Sequence, residues 1–325
     1  MKAQAAANAV GSPRWAAEST VKRTLDTVVS RPMSPTRRLA SAQRRQHLSK
    51  AFDASVTREW KRHGGEPWRV LRKTLRDRFL RKHLGKLGGT VLELGPGPGR
   101  FTPILRTRPR RSLVAVDISR QALMAARRRA LVGTGLAPVE WVLAAGERLP
   151  MKPRAVNGVV ALGNIVSFAS KDGPSLLREL ARVTKPGGLF VADFATPVGA
   201  IQEFLHMAAR HRLLRRILRE RRYYLMDQVL ETGFQPLAPA RLARWEFQFY
   251  TLRGARAELR KSGFDVVDAM SVAPVARMDN RLISLARRDG RTWESLLELE
   301  ELVGRRPGVQ ETGDGFLVCA TRRAS

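Results

Sequence analysis

Residues 93–99 place an acidic side chain before three glycines at alternate positions: Glu93, Gly95, Gly97 and Gly99. Glycine keeps side chains away from the backbone, so a ligand can contact main-chain N–H groups there. A nucleotide phosphate, another cofactor and a sharp turn without a ligand are all compatible with such a stretch. The residues around the glycines distinguish these possibilities.

Two nucleotide-binding patterns are excluded by spacing. A P-loop requires Lys and Ser or Thr directly after its last glycine, whereas Arg100 and Phe101 follow here. The dinucleotide pattern G-x-G-x-x-G, counted from Gly95 or from Gly97, requires glycine at position 100 or 102. These positions hold Arg100 and Thr102. Neither a P-loop nor a dinucleotide fingerprint is therefore present.

The elements around the glycines alternate between apolar strands and amphipathic helices. Five strands are predicted, at 90–95, 112–117, 139–145, 158–163 and 189–194, with helices at 99–107, from Ser119 onward and at 174–184. Continuous apolar strands in a β-α rhythm are typical of a parallel sheet covered by helices on both faces. Further strands are predicted at 245–250, 264–272 and 315–323, and helices at 50–85, 201–230, 251–263 and 293–304.

Three motifs in this order resemble the class I S-adenosylmethionine-dependent methyltransferases, in particular the type 11 and ubiquinone/menaquinone methyltransferase group. The first is the acidic residue and G-x-G-x-G after the first strand; the second is Asp117, which closes the second strand 24 residues after Glu93. The third is LLRELARVTKPGGLFVADF at 176–194. The resemblance covers 88–196. It implies a Rossmann-like α/β fold: an open sheet of seven mostly parallel strands, helices on both faces and a helical insert after strand 5.

The resemblance implies S-adenosylmethionine as cofactor and assigns residues to it. The glycines would receive the methionine end, with Glu93 fixing the loop or meeting the amino group, and Asp117 would accept the ribose hydroxyls; the other interpretations are a buried acid for Glu93 and a helix N-cap for Asp117. Ala145 stands where the family often has an aspartate for the adenine, which leaves adenine recognition to the backbone groups of Ala145 and Gly146, or to Glu147. The remaining cofactor candidates are Ile118, Gly146, Glu147 and Leu162.

Methyl transfer from a sulfonium is an in-line displacement that depends mainly on alignment and desolvation, so no catalytic residue is assigned. The candidate acceptor residues are Asn164 and Ser167, after the fourth strand, and Tyr223, in a basic helical segment. Asn164 could equally cap the next helix, and the basic segment could equally be a solvated face. The region after the fourth strand lacks the proline and aromatic residues typical of enzymes that methylate base amino groups. A small acceptor is expected, and it would be anionic if the basic segment binds it.

The chain divides by composition into an extension and one domain. Residues 1–48 are basic and rich in Ala and Ser, typical of a disordered tail or of a transit peptide, and we favour the tail. The domain spans 49–325, in four parts: 49–87, a helical region; 88–196, the cofactor-binding core; 197–244, a helical lid insert; and 245–325, which completes the sheet.

The formal net charge of +30 would attract polyanions. RNA methylation, and non-catalytic binding of nucleic acid or an anionic membrane, therefore remain alternatives to a small-molecule acceptor. One cysteine, Cys319, excludes an intrachain disulfide and a zinc–thiolate cluster. No metal site and no transmembrane segment are predicted. We expect a soluble, cytoplasmic protein, with targeting to an organelle left open.

Overall fold

The computed structural model describes residues 40–61, 66–107, 111–130, 136–210, 219, 224–236, 245–277 and 279–324. Most of the predicted tail, residues 1–39, and the candidate acceptor residue Tyr223 lie outside these ranges.

Seven of the nine strands in the described ranges form one sheet. They are β1 (Gly89–Leu94), β2 (Arg111–Asp117), β3 (Val139–Leu143), β4 (Val156–Ala161), β5 (Thr184–Phe194), β8 (Phe264–Ser271) and β9 (Phe316–Arg322). Their order in the sheet is β3-β2-β1-β4-β5-β9-β8. The first five are parallel, and β9 is antiparallel to both of its neighbours. The seven-stranded, mostly parallel sheet predicted from the sequence is confirmed.

The helices connect these strands in chain order. They are α1 (Ser41–Asp53), α2 (Val56–Lys61), α3 (Pro67–Leu84), α4 (Thr102–Leu105), α5 (Arg120–Ala130), α6 (Ile165–Ala169), α7 (Gly173–Val183), α8 (Pro197–Arg210), α9 (Tyr224–Thr232), α10 (Leu252–Lys261), α11 (Asn280–Ala286) and α12 (Gly290–Gly304). Helices α6 and α11 are absent from the sequence-based prediction. Each is a turn or two long, too short to show a clear periodicity.

Both faces of the sheet are buried because alternate strand residues point to opposite sides. In β5, Phe190 and Phe194 pack on the face covered by α7 and α10, whereas Val191 packs on the face covered by α3, α11 and α12. In β9, Phe316 and Val318 pack on the face covered by α7 and α10, whereas Leu317 and Cys319 pack on the opposite face. This double burial explains the continuous apolar strand sequences.

The N-terminal region differs from the prediction in two ways. The helix expected over 50–85 is divided into α1, α2 and α3, with Pro67 in the first turn of α3, where its missing N–H is not required. In addition, α1 begins at Ser41, seven residues before the boundary drawn at residue 48. Residues 41–48 are therefore part of the folded domain.

The region after β5 also departs from the prediction. Helix α8 begins at Pro197, four residues earlier than expected, where Thr196 Oγ1 accepts a hydrogen bond from Gly199 N at 3.0 Å. The strand predicted at 245–250 is only two residues long, β7 (Phe247–Gln248). It pairs with β6 (Phe234–Gln235) outside the large sheet. Residues 245–250 therefore do not help to complete the seven-stranded sheet.

None of the helices in the described ranges is both long enough and apolar enough to cross a membrane.

Candidate functional site

The glycine loop leaves β1 at the carboxyl edge of the sheet. Gly95, Gly97 and Gly99 have φ angles of 66°, 53° and 84°, in the left-handed region that glycine adopts without strain. A Cβ on Gly99 would lie 3.0 Å from Cα and Cβ of Ala126 in α5, and a Cβ on Gly97 would meet no described heavy atom within 4 Å. Gly99 thus allows a close helix approach, and Gly97 presents bare backbone to open space.

Asp117, the last residue of β2, is tied to this loop. Its Oδ2 accepts a hydrogen bond from Gly97 N at 3.0 Å, and its Oδ1 accepts one from Ser119 N at 2.8 Å. Its side chain does not act as the cap of α5, because Ser119 Oγ accepts from Ala122 N at 3.0 Å and fills that role. Burial raises the pKa of Asp117 to about 6, and the two backbone hydrogen bonds oppose this increase.

Glu93 lies beneath the loop and not in its open face. The residue is 2% exposed, and its Oε2 accepts a hydrogen bond from Thr102 Oγ1 at 2.7 Å. Burial, reinforced by the charge of Asp117, raises the pKa of Glu93 to about 8 despite the hydrogen bond from Thr102. Through Thr102, the first residue of α4, Glu93 supports the glycine loop from below.

The loop after β3 contains the two adenine candidates. A Cβ on Gly146 would lie 2.8 Å from Leu176 Cδ1 and 3.0 Å from Leu94 Cδ2, so this glycine permits close packing against the core. Glu147 is partly buried, and this burial, together with the charge of Asp172, raises its pKa, while Arg45 and Arg44 oppose the increase.

The three candidate residues after β4, Leu162, Asn164 and Ser167, differ in their burial and contacts. Leu162 is buried among the apolar side chains on the α3 face. Asn164 is partly buried with a φ of 62°, and its side chain makes no capping hydrogen bond to α6, so the capping alternative is wrong. Ser167 is fully buried, and its Oγ accepts a hydrogen bond from Ala195 N at 3.4 Å. The expectation that Ser167 contacts the acceptor is wrong, because its side chain joins α6 to the end of β5 and lines no open surface.

Asp193, at the end of β5, organises the loop after β4. Its Oδ1 accepts hydrogen bonds from Gly163 N at 2.9 Å and Asn164 N at 2.7 Å, and its Oδ2 accepts one from Arg76 Nε at 2.9 Å. The carboxylate is 1% exposed, so the arginine compensates a buried charge. Asp193 is not among the site residues predicted from the sequence, although its position as the acidic residue near the end of an apolar strand is a visible signal.

Helix α1 packs against both sides of the site. On the cofactor side, Ser49 Oγ donates to Ile118 O at 3.1 Å, and Asp53 Oδ1 accepts from Ser119 Oγ at 2.6 Å. Ile118 thus lies under α1. These α1 residues are not predicted from the sequence, because no local pattern links them to residues nearly 70 positions away.

On the acceptor side, α1 is held by an ion-pair network and by aromatic side chains. Arg44 is 2% exposed; its Nη1 lies 2.6 Å from Asp172 Oδ2, and its Nη2 lies 2.7 Å from Glu246 Oε2. Beside it, the ring of Phe52 stacks on Trp245 at 5.0 Å and meets Phe168 edge-on at 5.3 Å. Residues 41–53 therefore form a wall of the candidate site.

Within the described ranges, no group of three His, Cys, Asp or Glu side chains could hold a metal ion. The bare backbone at Gly97 and the carboxylate of Asp117, together with the partly buried Glu147, instead fit an adenosine with a short zwitterionic chain.

Comparison with known proteins agrees with this interpretation of the site. A family model described as a methyltransferase domain matches residues 91–188. A ubiquinone/menaquinone biosynthesis C-methyltransferase of Rubrivivax gelatinosus is 28% identical over 134 residues, 40% of this chain and 49% of that protein. A demethylmenaquinone methyltransferase of Corynebacterium efficiens is 34% identical over 155 residues, 46% of this chain and 60% of that protein. The chain thus spans about half the length of the curated relatives it matches.

Among solved structures, magnesium protoporphyrin IX methyltransferase of Synechocystis, with bound S-adenosylhomocysteine, is similar with a TM-score of 0.52 and 13% identity. The match covers 86% of this chain and 99% of that one, and at this identity it shows a shared fold. The family model, the curated relatives and the fold agree with the motif order and the loop geometry. Residues 91–188 match a methyltransferase domain, and the chain has the fold of the class I S-adenosylmethionine-dependent methyltransferases.

Proposed function

We propose that the chain is a methyltransferase that binds S-adenosylmethionine and transfers its methyl group to a small-molecule acceptor by in-line displacement. The observation that carries this proposal is the pairing of Asp117 with Gly97 at the carboxyl edge of the sheet. A buried carboxylate and bare backbone meet there, at the position where open α/β sheets bind ligands.

S-adenosylmethionine, when bound, supplies a methyl group already activated on a sulfonium. The protein must therefore bind and orient the two reactants and exclude water from between them, and it needs no fixed acid or base. Each Asp117 oxygen accepts one backbone hydrogen bond, which leaves lone pairs for the ribose hydroxyls. The buried Glu93 holds the loop through Thr102, so the backbone N–H groups are oriented before a ligand arrives.

The wall formed by α1 supports a small-molecule acceptor. The rings of Phe52, Phe168 and Trp245 lie beyond the loop after β4, where they exclude water from the acceptor side. The curated relatives are named for ubiquinone and menaquinone biosynthesis, and an aromatic wall suits acceptors of comparable apolar character.

Calorimetry with S-adenosylhomocysteine tests the cofactor part of the proposal. We expect the unaltered protein to bind it, and Asp117→Asn to weaken binding at least tenfold, because the ribose loses a charged acceptor. Asp289→Asn is the matched control: Asp289 also accepts a backbone hydrogen bond, from Thr292 N at 2.7 Å, but it caps α12. Absence of binding, or equal binding by both variants, would contradict the proposal. Transfer of labelled methyl groups to pools of small molecules then tests the acceptor class.

A further inference from the structure

A connected group of polar side chains, here called the polar cluster, joins α3, α8 and the segments around residues 277 and 314. It consists of Trp68, Arg72, Glu203, Arg277 and Asp314. The Arg72 guanidinium lies over the Trp68 ring, 4.7 Å from its centroid, and pairs with Asp314. Arg277 Nη2 lies 4.0 Å from Asp314 Oδ1, and Arg277 interacts electrostatically with Glu203.

The polar cluster is linked to the loop after β4 through shared ion pairs. Arg76 Nη2 lies 3.5 Å from Asp314 Oδ2, and Arg76 Nε lies 2.9 Å from Asp193 Oδ2. Asp193 in turn accepts the backbone hydrogen bonds of Gly163 and Asn164. The cluster is therefore one ion pair away from the residues predicted to line the acceptor position.

Four polar atoms in the cluster are buried without a hydrogen-bond partner in the described part of the chain: Trp68 Nε1, Arg277 Nε, Glu203 Oε2 and Asp314 Oδ2, the last of which is ion-paired with Arg72 and Arg76. Trp68 is 4% exposed, and the Arg277 side chain is 11% exposed. His206 Nε2, one turn after Glu203 on α8, is also buried without a hydrogen-bond partner among the described residues. Buried polar groups almost always have a partner, because desolvation without a hydrogen bond is costly. Several such atoms in one connected cluster indicate a ligand that completes them.

The charges and donors of the cluster define the chemistry of that ligand. The cluster and its link to the loop after β4 together contain three arginines, Arg72, Arg76 and Arg277, and three carboxylates, Asp193, Asp314 and Glu203, so the formal charges of these six residues cancel. An ionic ligand would unbalance this set. Apart from the ion-paired Asp314 Oδ2, the unpartnered atoms comprise two N–H donors and one carboxylate oxygen, so the ligand must both accept and donate hydrogen bonds.

We propose that the polar cluster binds the methyl acceptor through uncharged hydroxyl, phenol or carboxamide groups. Their oxygen atoms accept from Trp68 Nε1 or Arg277 Nε, and a hydrogen is donated to Glu203 Oε2. This inference rests on the proposed methyltransferase function. It replaces the anionic acceptor expected from the arginines near Tyr223 with a neutral, hydroxylated or amide-bearing one.

The test uses the indole N–H signals of the six tryptophans in 15N-labelled protein saturated with S-adenosylhomocysteine. Trp68→Phe identifies the Trp68 signal by its loss. The probes are phenol, benzyl alcohol and benzamide, with toluene and benzoate as the apolar and anionic counterparts. We expect at least one neutral polar probe to shift the Trp68 signal saturably, and toluene and benzoate to leave it unchanged.

Glu203→Gln and Arg277→Met should each weaken binding of that probe about tenfold, the equivalent of one charge-assisted hydrogen bond. The matched control is Glu298→Gln on the exposed face of α12. Calorimetry with S-adenosylhomocysteine reports separately on the cofactor site. A failure of the proposed methyltransferase function can therefore be distinguished from a failure of the polar cluster to bind the probe. The proposal is overturned if no neutral polar probe moves the Trp68 signal, which would mean that water alone completes the cluster. It is equally overturned if toluene or benzoate acts like the polar probes.

Discussion

Asp117 Oδ2 accepts a hydrogen bond from Gly97 N at 3.0 Å, which joins the end of β2 to the loop that follows β1. The other oxygen of this carboxylate is held by Ser119 N. The side chain expected to bind the ribose and the backbone expected to receive the methionine end are thus held in one arrangement. A change at either residue should therefore be detected in cofactor binding.

We expect Gly97→Ala to abolish cofactor binding while costing little stability. A Cβ there meets no atom in the described residues, so the loss of stability comes only from a non-glycine residue at a φ of 53°, about 1 kcal/mol. The added methyl group would instead occupy the space above the loop. The measurements are urea unfolding and calorimetry with S-adenosylhomocysteine.

The control for this change is Gly308→Ala. Gly308 has a φ of 84° and likewise meets no described atom within 4 Å, but it lies beyond α12. The Gly308→Ala variant should lose a similar amount of stability and keep its affinity for S-adenosylhomocysteine. Equal affinities of the two variants would show that Gly97 does not face the cofactor.

Glu93 should make stability depend on pH. The pKa of Glu93 is about 8 in the folded protein, against 4.5 for an exposed glutamate, so the folded state retains a proton that the unfolded state releases. The stabilisation is complete below about pH 4.5 and is lost as the pH rises to about 8. Glu93→Gln is uncharged throughout and can still accept the hydrogen bond of Thr102.

Free energies of unfolding, measured across this range, should therefore fall more steeply with pH in the unaltered protein than in Glu93→Gln. Exposed Glu298 supplies the comparison, since Glu298→Gln should leave the slope unchanged. Parallel curves for the unaltered protein and Glu93→Gln would contradict the assignment of a buried, protonated carboxyl.

Arg44→Met should release α1 from the domain. The substitution removes the Arg44 guanidinium from the buried carboxylate of Glu246 and the partly buried carboxylate of Asp172, at a cost of roughly 3 kcal/mol or more. Hydrogen–deuterium exchange across residues 41–53 should accelerate. Lys50→Met, at an exposed position of the same helix, should leave exchange unchanged. If both variants exchange like the unaltered protein, Arg44 does not hold the helix in place.

Deletion of residues 2–39 separates the small-molecule function from the RNA alternative. This segment has seven Lys and Arg residues against two acids, and the deletion leaves α1 intact. We expect methyl transfer to small acceptors to survive. RNA binding that falls steeply with salt, and is lost together with activity after the deletion, would favour the RNA alternative.

The sequence alone determined the sheet and the cofactor loop of this protein. The apolar strands, the glycine spacing and the acid that ends β2 are encoded within short stretches, and they follow local rules of backbone geometry and burial. This is why the predicted seven-stranded, mostly parallel sheet is confirmed, and why Gly97 and Asp117, assigned from the motifs to one cofactor, lie together at its carboxyl edge.

Only the tertiary structure decided what surrounds that loop. Arg44 contacts Glu246 across 202 positions of the chain, so a basic segment interpreted as a tail becomes a wall of the site. Ser167 is buried beneath the end of β5, and Trp68 reaches Arg277 through Arg72 and Asp314. Such contacts depend on how distant elements pack, and no local periodicity records them. The surroundings of the glycine loop therefore became visible only in the folded chain.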